Sequence, residues 1–82
     1  MSLGHLNHVS ANVARILREE REKRGLSMTV LAARAGLSRA MISFVEREVR
    51  NPSLETMLRI AYVLEIDLGK IITKANRQAA KK

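Results

Sequence analysis

Apolar residues recur along the chain at three- and four-residue intervals, the spacing of a buried helix face rather than of a strand. Val13, Ile16 and Leu17 predict a first helix from about Ser10 to Arg24. Its second half is almost wholly charged, with Glu19 four residues before Lys23 and Glu20 four before Arg24, a pairing that supports a solvated helix face. Leu31, Ala32 and Ala35 predict a short second helix, Met28 to Ala35, with Ser27 as its N-cap and Gly36 as its stop. A third helix, from Arg39 to about Arg47, is capped by Ser38 and buries Met41, Ile42 and Val45. Ser53 caps a fourth, with Leu54, Met57, Leu58, Ala61 and Leu64 inward. Asp67 caps a fifth, from Leu68 to about Thr73, carrying Ile71 and Ile72. β-branched residues are scattered at helical spacings and no hairpin dipeptide occurs, so the expected fold class is all-α. The expected organisation is a flexible segment at 1–9, a domain at 10–73 and a basic tail at 74–82.

Composition narrows the function. At 82 residues with 46% hydrophobic positions the chain supports one domain with one small core. The absence of cysteine removes disulfide scaffolds, thiolate zinc sites and cysteine nucleophiles, and suits a reducing cytoplasm. No run approaches the roughly 18–20 apolar residues of a membrane span, and Met1 to Val9 lacks the pattern of a secretory signal. A cytoplasmic protein without membrane attachment is expected. His5 and His8 are the only histidines and no carboxylate cluster or nucleophile–base pair accompanies them, so no catalytic residue, metal site or cofactor is expected. The formal charge of +7 favours a polyanionic partner, although Lys74, Arg77, Lys81 and Lys82 supply four of those charges at the very end. That end adds phosphate attraction or merely solubilises the chain. Single-stranded RNA is disfavoured because only Phe44 and Tyr62 could stack on bases.

Helices two and three, two short helices joined at Gly36, have the dimensions of a helix-turn-helix. Ala32 must be small where the helices cross, Gly36 can take the left-handed conformation the turn needs, and Ile42 and Val45 anchor the third helix. The run Leu31-Ala32-Ala33-Arg34-Ala35-Gly36-Leu37-Ser38-Arg39-Ala40-Met41-Ile42-Ser43-Phe44-Val45-Glu46-Arg47 resembles the phage-repressor and Cro-like (XRE) family. The segment Arg50-Asn51-Pro52-Ser53-Leu54-Glu55-Thr56-Met57-Leu58-Arg59-Ile60-Ala61 is similar to the stretch that comes after the helix-turn-helix in that family. The resemblance covers roughly Val13 to Ile72.

The resemblance implies a five-helix, lambda-repressor-like domain whose third helix lies in the major groove of double-stranded DNA while the second crosses the backbone. By position, Arg39, Ala40, Ser43 and Phe44 face the bases, with Arg39 the candidate for bidentate contact to guanine. Ser38 serves as cap and phosphate ligand, and Arg50 sits over the backbone. Arg47 and Arg59 are weaker phosphate candidates. Met28 occupies a phosphate-contacting position that the family usually fills with Gln, and Glu48-Val49 replaces a common Gly-basic pair. The family's acid at Glu46 pairs with an arginine of helix one, here Arg21. Family members commonly dimerise through the C-terminal region, and the surplus apolar residues Ile60, Val63, Ile66 and Ile71 are the expected homodimer interface, on a pseudo-palindromic operator. These features describe a repressor or autoregulator. A second reading stays open: an antitoxin-like module that neutralises or recruits a protein partner, such as a toxin or the transcription machinery.

Overall fold

The computed structural model describes residues 2–48 and 51–80. Among the described residues there are five helices and no strand: α1 (Leu3–Lys23), α2 (Met28–Ala35), α3 (Arg39–Glu46), α4 (Leu54–Leu64) and α5 (Leu68–Ala80). The all-α expectation holds. None of these helices is long and apolar enough on its own to cross a membrane.

Serine caps set the starts. The Oγ atoms of Ser27, Ser38 and Ser53 accept from the backbone N–H three residues on, at Val30, Met41 and Thr56, over 3.0–3.1 Å. Each satisfies one of the donors that a helix start leaves without an intrahelical partner. The ends are set by left-handed residues. Gly36, at φ +69°, closes α2 with Leu37 N–H donating to the Ala32 carbonyl at 2.9 Å and Gly36 N–H to Ala33 at 3.4 Å. Glu65 closes α4 in the same way at φ +57°, a conformation that costs a residue with a Cβ.

The core is built from Ile16 and Leu17 of α1, Leu31 of α2, Ile42 and Val45 of α3, Ile60 and Leu64 of α4, and Ile71 and Ala75 of α5. Each fully buried Leu or Ile in this set contributes on the order of 2 kcal/mol. Met41 and Met57 are only half-buried, and Leu54 and Leu58, expected inward, are 61% and 50% exposed. Helix α4 is apolar around most of its circumference, so periodicity alone did not select the face. The buried one carries Ile60, Ala61 and Leu64, and Leu54, Leu58 and Tyr62 form a separate i, i+4, i+8 stripe facing solvent.

Two boundaries differ from the sequence reading. Residues 3–9 are not a flexible segment. They are the first turns of α1, started by Ser2, whose Oγ accepts from His5 N–H at 3.1 Å. Nor is 74–80 a detached basic tail, because α5 continues to Ala80 with Ala75 fully buried and Ala79 nearly so. Both extensions have one cause, the packing of α1 against α5. Small alanines let the helices approach, and a polar seam aligns them. Asn12 Nδ2 donates to the Ala75 carbonyl at 3.1 Å, Arg15 donates to Gln78 at 2.6 Å, and His5 and Asn76 meet at 2.6 Å. The buried Asn12 is thereby satisfied, as burial requires.

Candidate nucleic-acid interface

Helices α2 and α3 turn through 112° about Gly36. A Cβ placed on Gly36 would lie 3.0 Å from the Arg59 guanidinium, so both the positive φ and the space favour glycine there. Arg59 reaches this point from α4, donating to the Ala35 carbonyl at 3.3 Å and to Glu55 at 3.1 Å. It braces the C-terminal end of α2, where a cation is electrostatically favoured. Ala32, Ile42 and Val45 are all buried between the two helices and the rest of the core.

The helical repeat sorts α3 into two faces. Ile42, Val45 and Glu46 are buried, whereas exposed Ala40 and Arg47 and half-buried Ser43 and Phe44 lie on the other side, with Arg39 exposed at the helix start on the border between the two. Arg39 stands at the first helical position, with no hydrogen bond or ion pair to the described residues. Arg47 Nε donates to Ser43 Oγ at 3.0 Å, which lays the guanidinium along the outward face. Ser38 presents the α3 N-terminus at the edge of this face. Phe44, one turn after Ala40, is half-buried.

Glu46 lies on the inward side, and its charge is matched there. Arg21 Nε donates to Glu46 Oε2 at 2.7 Å and Nη2 to Oε1 at 2.9 Å, while Nη1 donates to the Leu26 carbonyl at 2.8 Å. Both residues are 8% exposed. The bidentate bond to Glu46 raises the Arg21 pKa further, against the opposing effect of burial. The pair locks α1 to α3 and removes an acid's field from the outward face.

Other residues are placed differently from the sequence reading. Met28 packs half-buried against the core, and a thioether offers no donor to a phosphate, so its phosphate role is withdrawn. Ile60 and Ile71 are buried at 2% and 7% exposure and belong to the monomer core, because the inward face of α4 and the close approach of α5 to α1 consume them. They cannot also form a dimer interface. Val63 and Ile66 are half-buried against the same core. Arg50 lies outside the described residues. Glu48, which stands where the family commonly has Gly, adopts the left-handed φ of +57° just after α3. Sequence reasoning missed the bracing role of Arg59 and the buried Asn12; a buried polar side chain has no periodic signature.

The helix-turn-helix family's sequence pattern matches residues 17–71, most of the chain. The chain belongs to that family. It is the XRE-type family whose motif stands at Leu31–Arg47, and its matched relatives are named as transcription regulators, not enzymes. The regulator y4dJ of Sinorhizobium fredii is 34% identical over 65 residues, covering 79% of each chain. The regulator SlrR of Bacillus subtilis is 33% identical over 60 residues, covering 72% of this chain and 40% of its own. The chain thus spans less than half the length of SlrR. Among solved structures, the clp gene regulator ClgR from Corynebacterium glutamicum superposes with a TM-score of 0.78 at 21% identity, covering 88% of this chain and 77% of ClgR. SinR, a master regulator for biofilm formation solved in complex with DNA, superposes with a TM-score of 0.68 at 24% identity, covering 73% and 97%. These likenesses show the fold.

Proposed function

We propose that this helix-turn-helix regulator binds double-stranded DNA sequence-specifically, with α3 in the major groove, and controls transcription by occupying its site. The observation that carries the reading is the outward face of α3. Ala40, Ser43, Phe44 and Arg47 share it and Arg39 borders it at the exposed helix start, while Glu46 is buried and neutralised by Arg21. Arg39 has the reach and the donors for guanine O6 and N7, and Ala40 and Phe44 offer apolar contact to a thymine methyl. Ser38, Arg47 and Arg50 are the proposed phosphate ligands, which fix register without reading sequence.

On this reading the protein acts as a homodimer on a pseudo-palindrome. With Ile60 and Ile71 committed to the core, the exposed stripe Leu54, Leu58 and Tyr62 on α4, flanked by Val63 and Ile66, is the apolar surface that supports a dimer seam. Tyr62 is 84% exposed, which is costly for so large a ring without a partner. The test is selection of bound sites from random duplex DNA. Enriched half-sites about 10 bp apart centre to centre support the reading. No enrichment at any salt concentration overturns it.

A further inference from the structure

Every Asp, Glu, Lys and Arg of this protein lies from Arg15 onward; Met1 to Ala14 contains none. That uncharged stretch is nonetheless helical from Leu3, and it has an apolar face. Leu3, Leu6, Ser10, Val13 and Leu17 follow the three- and four-residue spacing of one helix side. Leu17 is buried, Val13 half-buried, Leu6 46% exposed and Leu3 80% exposed, so the core stripe of α1 runs out of the molecule uncovered. Beside it lies a groove of about 550 Å³, lined by Val13, Ala14 and Leu17 of α1 and by Val45, Met57 and Ile72, with Glu48 and Asn51 also on its lining. Groove and overhang are two ends of the same helix face.

We propose that this face is a self-association surface whose occupant is the same face of a second copy in antiparallel alignment. With the two-fold axis near Ser10, the midpoint of Leu3 and Leu17, the Leu3–Leu6 overhang of each copy enters the groove of the other. Such an interface is self-complementary, as a closed two-fold contact must be. Ser10 and Ala14 at the crossing are small enough for the helices to approach. Charge identifies the occupant. Each copy carries a net +7, so like charges oppose most encounters between copies, whereas this contact brings together α1 halves that hold no Asp, Glu, Lys or Arg, and Glu48 is the one such residue among the described residues lining the groove. The histidines of this half lie off the contact, with His5 engaged by Asn76 of α5 and His8 on the far side of the helix by its angular position. This surface is separate from the α4 stripe, and the inference does not depend on how α3 is used.

The chain's lack of cysteine makes the test direct. Ser10→Cys, exposed and close to the two-fold axis, is compared with Ala33→Cys, also exposed, on α2. Under mild oxidation Ser10→Cys is expected to form the disulfide-linked dimer at least about ten-fold faster, because docking raises the effective concentration of the thiols. Adding Leu6→Lys, an exposed position that leaves the core intact, should abolish that advantage while circular dichroism stays unchanged. Equal rates for the two cysteines, or an advantage that survives Leu6→Lys, overturn the proposal. Leu58→Cys reports the α4 seam separately: rapid cross-linking there without it at Ser10 refutes this inference and leaves the DNA-reading dimer standing.

Discussion

Arg21 and Glu46, twenty-five residues apart in sequence, form a buried bidentate ion pair at 2.7 and 2.9 Å that joins the first helix to the outward-facing third. A buried charge is tolerated only when paired, so losing one partner exposes the full desolvation penalty of the other. Arg21→Ala is predicted to destabilise the fold by about 3 kcal/mol in urea unfolding. Glu46→Gln, which keeps acceptor and shape, should cost about half of that. If both variants unfold like the parent, the pair is not what holds α3 to α1.

Glu65 occupies a left-handed backbone position that glycine takes without steric cost. Glu65→Gly is therefore predicted to stabilise the protein by about 1 kcal/mol, a rise in Tm of several degrees for a domain of this size. Thermal unfolding by circular dichroism checks the sign. The residue is exposed and stands at the C-terminus of α4, where an acid also opposes the helix dipole, so both effects point the same way.

Glu20 accepts from Arg24 at 2.6 Å and from Lys23 at 3.4 Å. The hydrogen bond from Arg24, and less strongly the one from Lys23, hold its carboxyl below the usual glutamate range, with burial opposing them. A depressed folded-state pKa stabilises the fold above the unfolded value of about 4.3 and loses that contribution as pH falls through the folded value. Urea midpoints measured from pH 6 to pH 2 should decline in this window, and Glu20→Gln should flatten the decline by less than about 1 kcal/mol.

Truncation after Thr73 removes Ala75 and Ala79 from the α1–α5 packing and strips Asn12 of its acceptor. A loss of at least about 2 kcal/mol is predicted, from the orphaned amide and the uncovered apolar surface. The contribution of basic residues in this region to DNA binding is better read from Lys74→Ala and Arg77→Ala, both exposed, through the salt dependence of affinity. An unaltered urea midpoint after truncation would mean that α5 beyond Thr73 is not part of the folded unit.

The features legible in the sequence are those set by local chemistry. Serine caps, the Gly36 turn and the three- and four-residue stripes of α2 and α3 are short-range signals, and the motif at Leu31–Arg47 added the Arg21–Glu46 pairing by resemblance. The misjudged parts depend on tertiary partners. Residues 3–9 and 74–80 look nondescript until α1 and α5 lie together, when alanines become close-packing residues and Asn12 becomes a buried link. On α4, apolar residues around most of the helix led the spacing to place Leu54 and Leu58 inward with Ala61 and Leu64, and to leave Ile60 outward. Burial of Ile60 and Ile71 then came from packing that no spacing rule encodes.

The central claim is that α3 reads bases, and Arg39→Ala tests it most directly. Affinity of parent and variant, measured by fluorescence anisotropy at fixed salt on a selected site and its single-base substitutions, separates readout from charge. The account predicts that Arg39→Ala loses about 1–3 kcal/mol of discrimination at one base pair per half-site and keeps the remaining preferences. A uniform loss across all sequences, or none with the fold intact, would contradict it.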